Sequence, residues 1–362
     1  MKQKVLILGN KGYLGRALHC YLAEKEYEVK GCDNDLRSKL VKEVGGQSIV
    51  PINQRENNSI KLDIATNYRG LKKLIREFQP DAIVHLAEQP SAPYSMRGQK
   101  EATFTQQNNI IGTLNVIHAI KEINPKIHLI KLGTAGEYPD WLYPDMVIPE
   151  GSRIKVNYGE YKNWEIPTPR YAGSWYHFSK LHDSNNIDYA CRIWGIRATD
   201  LNQAPVYGHL YDTRFDIDEC FGTVVNRFVA QAVSGHPLTV YGKGGQTRGY
   251  IHIKNSMQAI ELMIKNPAKQ GEFRVVHQTT EEKTINQIAE LVNNVRACEI
   301  EHIENPRAEQ GENKFKFEAK LLKELGLKPI PMHKEIPNML DTVSKYRDRI
   351  DTKLFLPKTK WI

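Results

Sequence analysis

The chain has 362 residues, 40% hydrophobic and 25% charged, which excludes disorder and leaves room for a large α/β domain with a smaller lobe. Lys and Arg number 50 against 42 Asp and Glu, a net charge of +8 with no basic block, which suits small anionic ligands rather than nucleic acid. Cys20, Cys32, Cys191, Cys220 and Cys298 show no CxxC or Cys/His zinc spacing, so a reducing compartment and no metal site are expected.

Val5–Leu8 reads as a buried strand and Leu14–Glu24 as a helix. Glu28–Cys32 and Ile60–Leu62 follow as strands, then Ala82–Leu86, a long helix over Thr105–Ile123, and a fifth strand over Ile127–Leu132. Continuous apolar strands alternating with helices predict a doubly wound parallel sheet, the Rossmann architecture. From Asp140 to Pro169 the chain is rich in Tyr, Trp, Pro and Asn without a clean period, which predicts a lid or substrate wall. A helix from about Tyr171 to Arg192 and a strand near Ile196–Asp200 close the first part. The expected division is a dinucleotide domain over residues 1–205, with a lid-like insertion at 140–169, and a substrate lobe over 206–362 interleaved with the sheet. Apolar runs fall far short of the ~20 residues that span a bilayer, and Lys2 and Lys4 precede too short an apolar stretch for a signal peptide. A cytoplasmic protein without membrane insertion is expected.

Gly9-Asn10-Lys11-Gly12-Tyr13-Leu14-Gly15 is a GxxGxxG string directly after a strand and opening a helix. Glycines there let the backbone turn tightly and approach a pyrophosphate at the helix N-terminus. Asp33 follows Gly15 by 18 residues at the end of the second strand, where a carboxylate binds ribose hydroxyls and repels a 2′-phosphate. NAD is therefore expected over NADP. Arg37 is open between attracting a 2′-phosphate and lying over an adenine. Tyr176-His177-Phe178-Ser179-Lys180 is YxxxK, with Tyr176 and Lys180 on one helix face. An ammonium beside a phenol favours the phenolate and makes an acid–base pair. The bare pair is common on helix surfaces; its context is Gly133-Thr134 at the end of the fifth strand, where a hydroxyl can share a substrate oxygen. GxxGxxG, Thr and YxxxK in that order are similar to the extended short-chain dehydrogenase/reductases.

Longer strings narrow this. His85-Leu86-Ala87-Glu88-Gln89-Pro90-Ser91-Ala92-Pro93-Tyr94-Ser95-Met96 resembles the UDP-sulfoquinovose synthases. So do Asn109–Asn115, Gly195–Gln203 and the run from Gly235 to Tyr250. The resemblance implies an enzyme that makes UDP-sulfoquinovose from UDP-glucose and sulfite with tightly held NAD, as a homodimer through two helices. Epimerases and dehydratases of the same superfamily are the alternative within the class; a silent dinucleotide sensor is the alternative outside it. The resemblance implies cofactor contacts from Gly9, Gly12, Tyr13, Leu14, Gly15, Asp33, Asn34, Arg37, Asp63, Ile64, Leu86, Glu88, Asn109, Gln203 and Val206. Tyr176 and Lys180 belong to that set and, with Thr134, match the catalytic positions. Gln89, Thr134, Gln203, Thr223, Asn226, Thr239, Tyr241, Arg248 and Arg307 are implied at the substrate, the last two arginines as forks for a diphosphate.

His177 is open between a catalytic role and packing on the sheet, because i+1 spacing turns it from Tyr176. His85 and Glu88 are expected as pocket structure. Two positions depart from the family pattern: Pro90 stands where an Arg follows Glu-Gln, and Ala135 where a Met follows the catalytic Thr. Arg97, Arg170 and His177 are the substitutes considered for the missing cation. The dehydratase-type Thr-Asp-Glu string is absent, and Glu137, one position late, is with His177 a candidate base at the sugar C5. Trp141, Trp164 and Trp175 are open between sugar contacts and packing.

Overall fold

The computed structural model describes residues 2–52, 59–138, 146–307, 312–313 and 316–361. The first strand, β1 (Lys4–Leu8), buries four consecutive side chains. It leads through the glycine turn into α1 (Tyr13–Ala23), β2 (Glu28–Asp33), α2 (Leu36–Glu43) and β3 (Ser59–Lys61). Next come α3 (Tyr68–Phe78) and β4 (Ala82–His85). Helix α3 is charged along much of its length, yet Leu71, Leu74, Ile75 and Phe78 make one buried stripe, and the Asn67 side chain caps it at Gly70 N.

A short helix α4 (Ala92–Ser95) precedes α5 (Gln99–Gln106), a π-helical turn (Gln107–Ile111) and α6 (Gly112–Ile123). The helix expected over Thr105–Ile123 thus starts earlier and is interrupted. The π turn carries Asn109, whose amide reaches the Gln89 backbone at 2.8 and 3.1 Å and Ser179 Oγ at 2.9 Å. Strand β5 (His128–Thr134) runs into a 3₁₀ turn at Ala135–Glu137. The two-residue β6 (Val147–Ile148) is followed by an antiparallel hairpin, β7 (Arg153–Tyr158) with β8 (Tyr161–Pro167), where sequence periodicity predicts none. Residues 140–145, Trp141 among them, lie outside the described residues. Helix α7 (Trp175–Trp194), capped by Ser174, and β9 (Arg197–Gln203) complete the first half.

The central sheet is parallel in the order β13-β9-β5-β4-β1-β2-β3, where β13 (Phe273–Gln278) comes from far along the chain. Ile117, Ile187 and Leu71 pack on one face; Leu18, Met257 and Ile260 pack on the other. Both faces being covered explains the unbroken apolar strands. Beyond β9, α9 (Ile253–Lys265) covers the sheet, while β10 (Val206–Tyr207), α8 (Val224–Ser234), β11 (Leu238–Tyr241) and β12 (Gly245–His252) contribute to a second core. After β13 come β14 (Glu281–Thr284), α10 (Ile285–Val295), β15 (Ile300–Ile303), short strands β16 (Glu312–Asn313) and β17 (Lys316–Phe317), α11 (Leu321–Glu324) and α12 (Met332–Ser344). Phe228, Val229, Ile288, Met339 and Phe355 are fully or almost fully buried at its centre. All five cysteines are free thiols. No described helix is long and apolar enough to cross a membrane.

Candidate active site

The strand order reverses beside β1, and a cavity of about 410 Å³ opens there between the sheet and the second lobe. At one end, Gly9 has φ +86°, and a Cβ on it would sit 2.7 Å from the backbone of Leu86 and Ala87. A Cβ on Gly15 would meet Gly9 O at 2.0 Å. The turn therefore closes only with glycine at positions 9 and 15, and Gly12 precedes α1 without a side-chain cap, leaving its first N–H groups for an anion. Asp33 is held by the backbone N–H of Lys11 at 2.9 Å and of Asp35 at 2.7 Å; burial raises its pKa despite those donors. Asp63 accepts from Asn34 at 2.9 Å and from the backbone of Ala65 and Thr66. A glycine cradle on a helix N-terminus with a fixed carboxylate on the neighbouring strand fits NAD.

Arg37 lines this end too, but its charge is committed. It forks onto Asp216 at 2.8 and 3.0 Å and stacks 4.2 Å from the Phe221 ring. That pairing spends the guanidinium charge inside the protein and disfavours capture of a 2′-phosphate.

At the middle of the cavity, Thr134, Tyr176, His177 and Lys180 come together. The Thr134 hydroxyl accepts from Gly136 N at 3.2 Å, and Tyr176 N donates to Ser95 Oγ at 3.0 Å. His177 Nδ1 lies 3.0 Å from Ser174 Oγ, and the ring's other edge sits over Gly136, where a Cβ would approach Nε2 to 2.3 Å. His177 therefore lines the pocket despite its i+1 spacing. Burial, then Arg248 and Arg307, push it down to about 3. Lys180 donates to the Glu88 carboxylate. Burial opposes the ammonium, but Glu88 and Asp183 outweigh it and raise Lys180. Tyr176 is raised rather than lowered, first by burial and then by Glu88. The sequence predicts a phenol favoured as phenolate by the neighbouring ammonium; here that ammonium donates to Glu88, whose charge raises Tyr176.

The far end holds Tyr241, Arg248 and Arg307 together with Arg227, which sequence reasoning missed. Arg227 donates to the Tyr241 hydroxyl at 2.6 Å and to Thr239 O at 3.0 Å, while its Nε has no partner among the described residues. The signal existed, because Thr223 and Arg227 are four residues apart on α8. Thr223 Oγ1 is likewise buried in the lining without a partner among the described residues. These groups make an anion site with hydrogen-bonding capacity to spare.

Of the residues singled out from sequence, Gln89, Asn109, Asn226 and Thr239 do not line the cavity. Gln89 is spent on Ser91 and Thr105, Thr239 on Gln231, and Asn226 on Gly208 N. Asn109 ties the loop after β4 to α7. They brace the pocket from behind. Glu137 is fully buried outside the lining, bonded to Arg170 at 2.7 Å and 3.5 Å from Lys131. It is removed as a base at the substrate, and Arg170 is removed with it as a substitute cation; Arg97 is not in the lining either. Pro90 is in the lining, Ala135 is not. No described residue of 146–169 lines the cavity: Trp164 stands 53% exposed on the hairpin, and Trp175, 50% exposed, also faces away. Glu219–Val224 of the second lobe line the cavity.

The family model for the NAD dependent epimerase/dehydratase family matches residues 5–277. A UDP-sulfoquinovose synthase of Spinacia oleracea chloroplasts is 42% identical over 99% of this chain and 79% of its own. One from Sulfolobus acidocaldarius is 40% identical over 99% of this chain and 97% of its own. Among solved structures, a UDP-glucose 4-epimerase of Thermotoga maritima superposes with a TM-score of 0.72, at 20% identity, over 95% of this chain and 99% of its own. A Thermus thermophilus UDP-glucose 4-epimerase in complex with NAD gives 0.68 at 19% identity, over 96% and 100%. These two show the fold. Dinucleotide cradle, Thr–Tyr–Lys centre and guanidinium-lined far end thus sit in a chain of the NAD dependent epimerase/dehydratase family, and within it this chain belongs to the UDP-sulfoquinovose synthase family.

Proposed function

We propose that the protein converts UDP-glucose and sulfite to UDP-sulfoquinovose with NAD. The observation that carries this is a likeness to two UDP-sulfoquinovose synthases that runs across 99% of the chain, second lobe included. The cavity supports it with one acid–base centre between a dinucleotide cradle and an anion site.

Arg227, Arg248 and Arg307 would hold the diphosphate, and Tyr241 would flank the uridine. Bound NAD supplies a hydride acceptor at C4 that later returns the hydride. Tyr176, with Lys180 and Thr134 beside it, takes the proton of the C4 hydroxyl. The resulting ketone acidifies the C5 hydrogen. Loss of that proton and of the C6 hydroxyl, which leaves as water, gives an unsaturated ketone; sulfite adds at C6 while C5 takes a proton back. Tyr176 gives its proton back when the C4 alcohol is restored. His177 is the base we assign to C5, because it stands in the lining whereas Glu137 does not. Pro90 leaves this wall without the family's cation, so the requirement for sulfite is expected to be high and to fall in Pro90→Arg. The working unit is proposed to be a cytoplasmic homodimer through α6 and α7, where Tyr189 and Ile193 are exposed.

The test is mass analysis of the protein and its products. Denatured protein should release NAD or NADH, and a UDP-sugar bearing a sulfonate should form only when sulfite is present. Release of NADP, or the same product with and without sulfite, would reject the reading.

A further inference from the structure

Glu88 leaves the end of β4 and meets α7 across the cavity. Its carboxylate accepts from the Lys180 ammonium, and both side chains are 5% exposed. The reaction as derived from Thr134, Tyr176 and Lys180 leaves this carboxylate unused. The charges facing Tyr176 come from every element packed on it. On β5 and β9, Lys131 lies 3.4 Å from Asp200 and 3.5 Å from Glu137; in the loop before α7, Arg170 holds Glu137 at 2.7 Å. That set balances itself. On α7, Asp183 is fully buried, and burial and Glu88 push it well up, toward the neutral acid. His85 on β4 lies 3.6 Å from Glu88 and is pushed down by burial to about 4; His177, under Arg248 and Arg307, is also neutral. The pair in direct contact beside Tyr176 is Lys180 and Glu88, and Glu88 is the first charge that raises Tyr176.

A lysine shifts a neighbouring phenol only by the part of its charge that is not cancelled nearby. We propose that Glu88 is a positioning residue of the acid–base centre: its carboxylate fixes the Lys180 ammonium and cancels its charge, which sets the pH range in which Tyr176 exchanges its proton. The inference rests on the NAD-dependent reading of this site. It assigns a function to a residue that the Thr–Tyr–Lys pattern does not contain. It also separates two tasks of Lys180, since hydrogen-bond donation survives the pairing while its field on Tyr176 does not.

The test is the ionisation of Tyr176 in the protein as purified, read as the tyrosinate absorbance that disappears in the matching Tyr176→Phe variant. Glu88→Gln keeps the shape and removes the charge. Tyr176 should then ionise about 1 pH unit or more lower than in the unaltered protein. The acid limb of NADH formation with UDP-glucose should move the same way. The double variant Glu88→Gln/Lys180→Met removes both charges, and its titration should return to within about half a unit of the unaltered protein. A Glu88→Gln titration that superimposes on the unaltered one would overturn the proposal. If the single variant does not fold, the double variant decides alone: a departure of more than about 1 unit overturns it. The titration involves neither UDP-glucose nor sulfite, so its failure is distinct from failure of the synthase reading, which the nucleotide-sugar product decides.

Discussion

At the scale of single residues, the account turns on Tyr176. Tyr176→Phe keeps the ring and removes the proton, so UDP-glucose and NAD should still bind while turnover falls ~10²–10⁴-fold, measured by steady-state assay and by titration of the ligands. A near-normal rate would make Tyr176 a packing residue. Gly136→Ala is a sharper probe of His177. The added Cβ would lie 2.3 Å from Nε2, so the ring must leave its place while Ser174 can still cap α7. Activity should fall on the order of 10²-fold with an unchanged melting curve, as expected when a positioned group moves by about 1 Å. Thr134, Tyr176 and Lys180 were legible because each sits at a recognisable place in a strand–helix order. The Lys131–Glu137–Arg170–Asp200 cluster was not. Its members are 6 to 69 positions apart along the chain, and no local period marks a buried charge whose partner comes from another element.

At the scale of elements, the glycine turn ties the fold to the cofactor. Gly15→Ala puts a Cβ 2.0 Å from Gly9 O, a backbone atom that cannot swing aside. The turn must open at a cost of about 1–3 kcal/mol, and the protein should lose its bound NAD together with a few degrees of melting temperature. Calorimetry with mass analysis of the released nucleotide checks both. The strands of the sheet were readable because burial on both faces leaves them uniformly apolar. The hairpin of β7 and β8 was not, because it is largely exposed and only Ile154, Val156, Trp164 and Ile166 mark its apolar face among polar residues. The π turn before α6 was hidden for a different reason: it serves Asn109, which reaches Gln89 and Ser179, contacts that sequence spacing does not reveal.

At the scale of the whole molecule, the two lobes are tied beside the adenosine end of the cavity. Asp216 receives Arg37 from α2 and its own neighbour Arg214, all three largely buried. Asp216→Asn leaves two buried guanidiniums without their anion and should destabilise by about 3–5 kcal/mol. Denaturant unfolding measures it, together with faster exchange of bound NAD. Acid should act through the histidines. Burial holds His85 and His277 at about 4 and His128 at about 3, each at most 1% exposed. Their folded values lie below the unfolded one near 6.5, so the unfolded chain binds more protons between the two. Stability is therefore complete above pH ~6.5 and is lost as pH falls toward 4, by up to about 1.4 kcal/mol per pH unit for each histidine. Urea midpoints at a series of pH values should show this; a midpoint unchanged between neutrality and pH ~5 would contradict it. The central claim is that one bound nicotinamide oxidises and then re-reduces the same C4 carbon while sulfite adds at C6. UDP-glucose carrying deuterium at C4, incubated with the purified protein with and without sulfite and read by mass spectrometry, tests it most directly. The prediction is UDP-sulfoquinovose that retains the deuterium, formed only with sulfite; an epimer or 4-keto-6-deoxy sugar formed equally in both, or a sulfonated product without the label, would contradict it.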